Sequence, residues 1–207
     1  STSNHAAIEA HLKYLSKSGK ILDAVSLLQK LNTYGIYASH GTYICLVQDC
    51  IYYKSFSQAR CIHDCIKQNN VNLDINLGNT LINMYIKCVD MNQARIVFED
   101  MVERNVFTWT LIIGGYTKLG YGNDAIMLFW RMIKEENVRP NKYTFLAIVK
   151  SCHSLEQCKE IHMCMIRFKL EFNNFMRSSL IDMYARCGSI VLAQEIFCKM
   201  QDHDIVT

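Results

Sequence analysis

Proline occurs once and glycine nine times in these 207 residues, too little turn punctuation for a many-stranded sandwich, so the composition leans towards helices. No apolar run approaches the roughly 18 residues of a membrane span, and no membrane partner is expected. The opening "STSNHAAIEAH" has neither an initiator Met nor a signal-peptide core, so the chain reads as a piece of a longer protein. Catalytic signatures are scarce too. There is no phosphate loop and no Gly-x-Ser-x-Gly elbow. A zinc deaminase needs Pro-Cys-x-x-Cys, but the sole proline, Pro140, precedes Asn141. The expectation is a non-enzyme with no cofactor, no metal and no small-molecule substrate.

What is present is apolar and repetitive. Half of the chain is hydrophobic, enough for a substantial core. Ten cysteines without framework spacing point to a reducing compartment. A net charge of +3 is a mild hint of an anionic partner. The stretch "SSLIDMYARCGSIVLAQEIFCKM" (178–200) echoes "NTLINMYIKCVDMNQARIVFEDM" (79–101), and fixed-period self-similarity of this kind marks a repeat architecture.

The echo subdivides. Ala24/Leu28/Leu31, Ala94/Phe98/Met101, Ala125/Phe129/Met132 and Ala193/Phe197/Met200 share an i, i+4, i+7 spacing, one face of a helix. A second apolar stripe precedes each, as in Leu81, Met84, Tyr85 and Cys88, so every unit is a helix pair. The units span 5–39, 40–74, 75–105, 106–141, 142–173 and 174–204, after a flank of 1–4, with 205–207 beginning a further repeat. Such pairs cannot bury their own apolar faces, so they stack into an all-α solenoid. The first helices are expected to line its concave side, since the second carry the large anchors and, on their outer faces, charges such as Glu99, Asp100 and Glu195.

"NTLINMYIKC", "FTWTLIIGGY", "SSLIDMYARCGS" and "IHMCMIR" resemble the short, standard, short and long motifs of the pentatricopeptide repeat family, in its plant subclass of alternating standard, long and short repeats. On this likeness the units are standard-like, long, short, standard, long and short in order. The resemblance implies a right-handed α-solenoid of about six helix-turn-helix repeats, cut off in a seventh. It further implies binding of single-stranded RNA parallel to the chain, one base per repeat, read by a repeat's fifth and last residues. Those are Asn79 with Asn105, Thr110 with Asn141, and Ser178 with Asp204, which resemble readers of a pyrimidine, an adenine and a guanine. Ile44 and Leu146 stand at the reading position of the long units, with Asp74 and Asn173 at their ends, and Glu9 with Ser39 occupies the first unit. Little base preference is expected from those three. The target is pyrimidine, adenine, any base, guanine, 5′ to 3′ across units three to six.

Spacing adds two further sets. The thirteenth residue is a cation in four of six units, Lys17, Lys87, Lys118 and Arg186, whereas the long units have Tyr52 and Ser154. A row of phosphate contacts would follow, although cations also suit helix C-termini. The second residues Asn76, Phe107 and Phe175 lie on the reading face, where they could stack on bases or pack between repeats. Cys61/His63/Cys65 and Cys158/His162/Cys164 invite a zinc reading. Their recurrence in "IHDC" and "IHMC" favours a structural role, and Gly114 with Gly115 reads as close helix packing.

The resemblance implies an organellar factor in mitochondrion or chloroplast, of the cytidine-to-uridine RNA-editing type, with editing cofactors binding the long repeats as partners. RNA stabilisation, splicing, or a protein-binding helical adaptor are the alternatives.

Overall fold

The computed structural model describes residues 2–204, and side chains from Asn4 to Cys198. Twelve α-helices and no strand occur among the described residues. They form two compact units that divide between Arg104 and Asn105.

The first unit contains three hairpins: α1 (Thr2–Lys17) with α2 (Ile21–Thr33), α3 (His40–Tyr52) with α4 (Phe56–Gln68), and α5 (Ile75–Lys87) with α6 (Met91–Asp100). First helices pack side by side, α1 on α3 and α3 on α5, while α2 packs on α4. Ala24 and Leu28, and all of Ala94, Phe98 and Met101, are buried between the layers. Leu31 is only half-buried.

The second unit contains α7 (Val106–Lys118) with α8 (Gly122–Lys134), α9 (Lys142–Ile148) with α10 (Leu155–Arg167), and α11 (Asn174–Arg186) with α12 (Ile190–Asp204). Here α7 packs on α8 and α9, and α11 on α10 and α12. Ala125, Phe129 and Met132 are buried as the spacing requires, with Phe129 edge-on to Phe145 at 5.4 Å. Phe197 differs from its equivalents, being half-exposed, because no further described helix covers α12. The side chain of Met200 lies outside the described residues.

The fifth hairpin departs from the others. Its first helix stops at Ile148 and tightens into a 3-10 turn over Val149–Ser151. Ser154 is therefore not the last turn of a first helix, as its thirteenth place in the unit suggested. It is the N-cap of α10, in a capping box with Gln157.

The other five hairpins turn the same way. A left-handed residue follows each first helix at Gly19, Lys54, Val89, Gly120 and Gly188. The next amide reaches back five residues, as in Asp90 N to Tyr85 O at 2.9 Å and Ser189 N to Tyr184 O at 2.9 Å, which closes a Schellman motif. Val89, at φ 60°, is the costly member, since a β-branched side chain in this region is strained. Its side chain is mostly exposed, so little packing offsets that strain. Val89→Gly, which copies Gly188, is expected to stabilise the chain by about 1 kcal/mol, read as a rise in the urea midpoint at unchanged slope.

Of the expected pair, Gly115 is buried and Gly114 has room, and tight approaches fall at Gly78 and Gly122. A Cβ on Gly114 would meet only Ala147, at 4.0 Å. A Cβ on Gly78 would lie 2.5 Å from Met101 Sδ, and on Gly122 3.1 Å from the Ser151 carbonyl oxygen.

Candidate nucleic-acid interface

The residues that end the first five repeats are N-caps. Ser39 Oγ accepts from Thr42 N at 3.4 Å, Asp74 Oδ1 from Leu77 N at 2.8 Å, and Asn173 Oδ1 from Met176 N at 2.9 Å. Asn105 and Asn141 form capping boxes with Thr108 and Thr144. An N-cap satisfies an amide that the first helical turn leaves without a partner. In Asn105 and Asn141 this duty occupies Oδ1, leaving the Nδ2 protons as hydrogen-bond donors. The signal for these caps was in the sequence, as the Asn-x-x-Thr of "NVFT" and "NKYT", but it was not used. Asp204, expected to read with Ser178, has its side chain outside the described residues.

At the fifth positions the environments differ. Thr110 is half-buried, and its Oγ1 lies 2.7 Å from Thr144 Oγ1, which in turn lies 3.2 Å from Asn141 Oδ1. The structure therefore brings Thr110 and Asn141 together, through a buried threonine that sequence spacing did not single out. Ser178 is exposed and donates to Asn174 O at 2.8 Å. A base reader at Asn79, two residues before the core residue Leu81, has to face away from packed surface, yet Asn79 is 9% exposed and its Oδ1 meets no donor among the described residues. Because α5 packs on a neighbouring first helix as well as on its own partner, its open strip is narrow.

Glu9 is committed elsewhere. Its Oε1 accepts the Ser39 amide at 2.5 Å. Burial opposes ionisation of this carboxyl, but the hydrogen bonds from Ser39 outweigh it and hold the pKa below the usual range.

Phe107 and Phe175 project into solvent instead of packing between repeats, and Asn76 is exposed. Tyr143, missed on the sequence, occupies the same second position in the fifth unit, 61% exposed with Lys142 Nζ 5.1 Å from its ring centre. Three successive first helices of the second unit thus each present an aromatic ring beside a capping asparagine.

Lys17, Lys87 and Lys118 are exposed at helix ends. Arg186 is not comparable. Its guanidinium donates to Val149 O at 2.8 Å and, through Nε, to Asp182 at 2.9 Å. It covers carbonyls that the 3-10 turn leaves open. Tyr52 stands 79% exposed at the end of α3.

The histidines of "IHDC" and "IHMC" hold repeat to repeat. His63 Nδ1 lies 2.7 Å from Tyr85 Oη, and His162 Nδ1 lies 2.9 Å from Tyr184 Oη. Burial pushes both tyrosines up to about 12 and His63 down to about 4. No group of three metal-binding side chains is poised around an ion among the described residues.

These stacked hairpins, with polar caps and rings repeating along one edge of successive first helices, define a helical-repeat binding protein. The sequence pattern of the PPR repeat family matches residues 104–154, and that of the single PPR repeat matches 79–106 and 175–205. The chain belongs to the pentatricopeptide repeat family. A chloroplastic pentatricopeptide repeat-containing protein of Arabidopsis thaliana is 29% identical over the whole chain, which spans 24% of that protein. A mitochondrial one from the same plant is 33% identical over 97% of the chain, spanning 36% of its length. The solved structure of the maize pentatricopeptide repeat protein PPR10 matches 95% of the chain and 29% of its own, with a TM-score of 0.74 at 20% identity. PPR10 in complex with an 18-nt psaJ RNA element matches with a TM-score of 0.61 at 19% identity. The fold is the α-solenoid type of these proteins.

Proposed function

We propose that this chain binds single-stranded RNA with sequence selectivity, one base per repeat, as the recognition part of a plant organellar RNA-processing factor. The observation that carries the reading is the hydrogen-bonded chain Thr110–Thr144–Asn141 beside the exposed rings of Phe107 and Tyr143. A base stacked on a ring would meet a hydroxyl and an amide donor, a combination that suits hydrogen bonding to a base edge. The maize relative's RNA complex and the organellar names of the plant relatives support the same direction.

Within that reading Thr110 and Asn141 select adenine, and Ser178 takes part in selecting guanine. Asn79, whose Oδ1 is buried, reads a pyrimidine through its Nδ2 protons. Asn76 joins Phe107, Tyr143 and Phe175 on the stacking face. The phosphate row reduces to Lys17, Lys87 and Lys118, since Arg186 is engaged by carbonyls. Three phosphate contacts correspond to a logarithmic salt slope of roughly −2 on a single strand. The alternation of standard, long and short repeats points to cytidine-to-uridine editing, in mitochondrion or chloroplast, with editing cofactors as partners of the long repeats.

The test is a gel-shift series with RNAs that differ only at the predicted adenine. Wild type is expected to bind the adenine RNA about tenfold more tightly, a difference of about 1.4 kcal/mol. Thr110→Val, which keeps the shape and removes the hydroxyl, is expected to lose that preference. Equal binding of all four RNAs by wild type would sink the assignment.

A further inference from the structure

Three thiols gather where the fifth hairpin meets the sixth. Cys158, on α10, is fully buried, and its Sγ lies 3.0 Å from the Sγ of Cys187, the half-exposed C-cap of α11. The Cys187 Sγ also lies 3.6 Å from the carbonyl oxygen of Cys152, a third buried cysteine. All of these belong to the second unit.

The first unit supplies an internal control. His63 to Tyr85 and His162 to Tyr184 have the same separation of 22 residues and the same hydrogen bond. In that register Cys187 corresponds to Cys88, but Cys158 corresponds to Ala59; Cys152 ends "TFLAIVKSC" as Cys50 ends "TYICLVQDC". Ala59 is fully buried, so the scaffold closes at this position without a thiol. Cys158 is thus an addition that packing does not demand, and it meets the half-exposed Cys187 at 3.0 Å.

We propose that Cys158 and Cys187 form a reversible disulfide clasp between the fifth and sixth repeats, closed by exchange with a small-molecule disulfide of the glutathione class. Cys187, the accessible partner, attacks one sulfur of the oxidised reagent as its thiolate. A mixed disulfide forms and one reduced thiolate departs. Cys158 then gives up its proton to that thiolate and attacks the Cys187 sulfur, releasing the second thiolate, which takes from solvent the proton that Cys187 gave up. The protein loses two hydrogens, and one disulfide becomes two thiols. The sulfurs need to close only from 3.0 Å to a bond of about 2 Å. The Arg186 guanidinium lies 3.5 Å from the same Cys152 carbonyl oxygen that the Cys187 sulfur meets. Burial raises the Cys158 pKa well above the ordinary thiol value, so its proton has to be taken up by the departing thiolate before it attacks.

Once closed, the clasp ties α10 to the end of α11, the helix that carries Ser178. The inference does not depend on RNA binding. The test equilibrates the full chain at rising ratios of oxidised to reduced glutathione, then alkylates free thiols and maps peptides. A linked peptide pair containing Cys158 and Cys187 is expected, with a rise in Tm of several degrees that a reductant reverses. Cys158→Ala, which copies Ala59, is expected to fold, to lose both the link and the Tm rise, and to hold glutathione on Cys187. A lasting glutathione adduct on Cys187 in the wild type, a Cys152–Cys187 link instead, or no linked peptide at any ratio would each overturn the clasp.

Discussion

Replacing Phe107, Tyr143 and Phe175 together by alanine is expected to weaken binding of single-stranded RNA by at least a hundredfold, with the fold intact. Each ring is more than half exposed at the first turn of its helix, so its removal leaves no cavity. Base-on-ring stacking contributes about 1–3 kcal/mol per base and tolerates any sequence, so even the low end of three contacts amounts to about 3 kcal/mol. The loss should therefore be similar on every RNA tried, unlike that of Thr110→Val, which changes preference. Fluorescence anisotropy with a mixed-sequence RNA measures the first, and far-ultraviolet circular dichroism checks that the helices remain. Unchanged affinity would place the rings off the RNA path and favour a protein-binding adaptor.

Acid is expected to loosen the first unit well before its carboxylates are fully protonated. His63 is buried, and burial lowers its pKa from 6.5 to about 4. A depressed histidine stabilises the fold fully above the unfolded pKa of 6.5, and that contribution is lost as pH falls towards 4. The shift corresponds to about 3 kcal/mol. Urea unfolding of wild type between pH 7 and pH 4.5 should show most of this loss. His63→Gln, which keeps a polar group near Tyr85, is expected to be less stable at pH 7 and to show a shallower slope over the same interval. Parallel slopes for the two proteins would remove His63 as the source.

The helix pairs were legible because their physics is local. Ala94, Phe98 and Met101 announce a face at helical spacing, and all three are buried. The recurring "IH-x-C" was legible as structure, but its task was not, since the tyrosine that each histidine meets lies 22 residues on. The 3-10 ending of the fifth first helix could not be read from "FLAIVKSC", because the Arg186 that covers its open carbonyls is some 35 residues away. Spacing placed Asn79 on an open face, but spacing describes one helix, while the burial of Asn79 comes from the company that helix keeps. Tyr143 was overlooked for a plainer reason. Its unit carries the apolar Leu146 where a base reader was expected, so nothing polar in that stretch marks the ring three residues before it.

The asparagines, aspartate and serine that close each repeat have two employers. Each one starts a helix, and on the proposed reading several of them also help to choose a base. A helix start accepts few residue types, chiefly asparagine, aspartate, serine and threonine, and replacing one by alanine costs about 1 kcal/mol. Folding therefore sets the alphabet in which a repeat of this design can spell its target. Exchanging asparagine for aspartate rewrites a letter at little expense to the helix, whereas a bulky or apolar letter would erase the start of the word that follows.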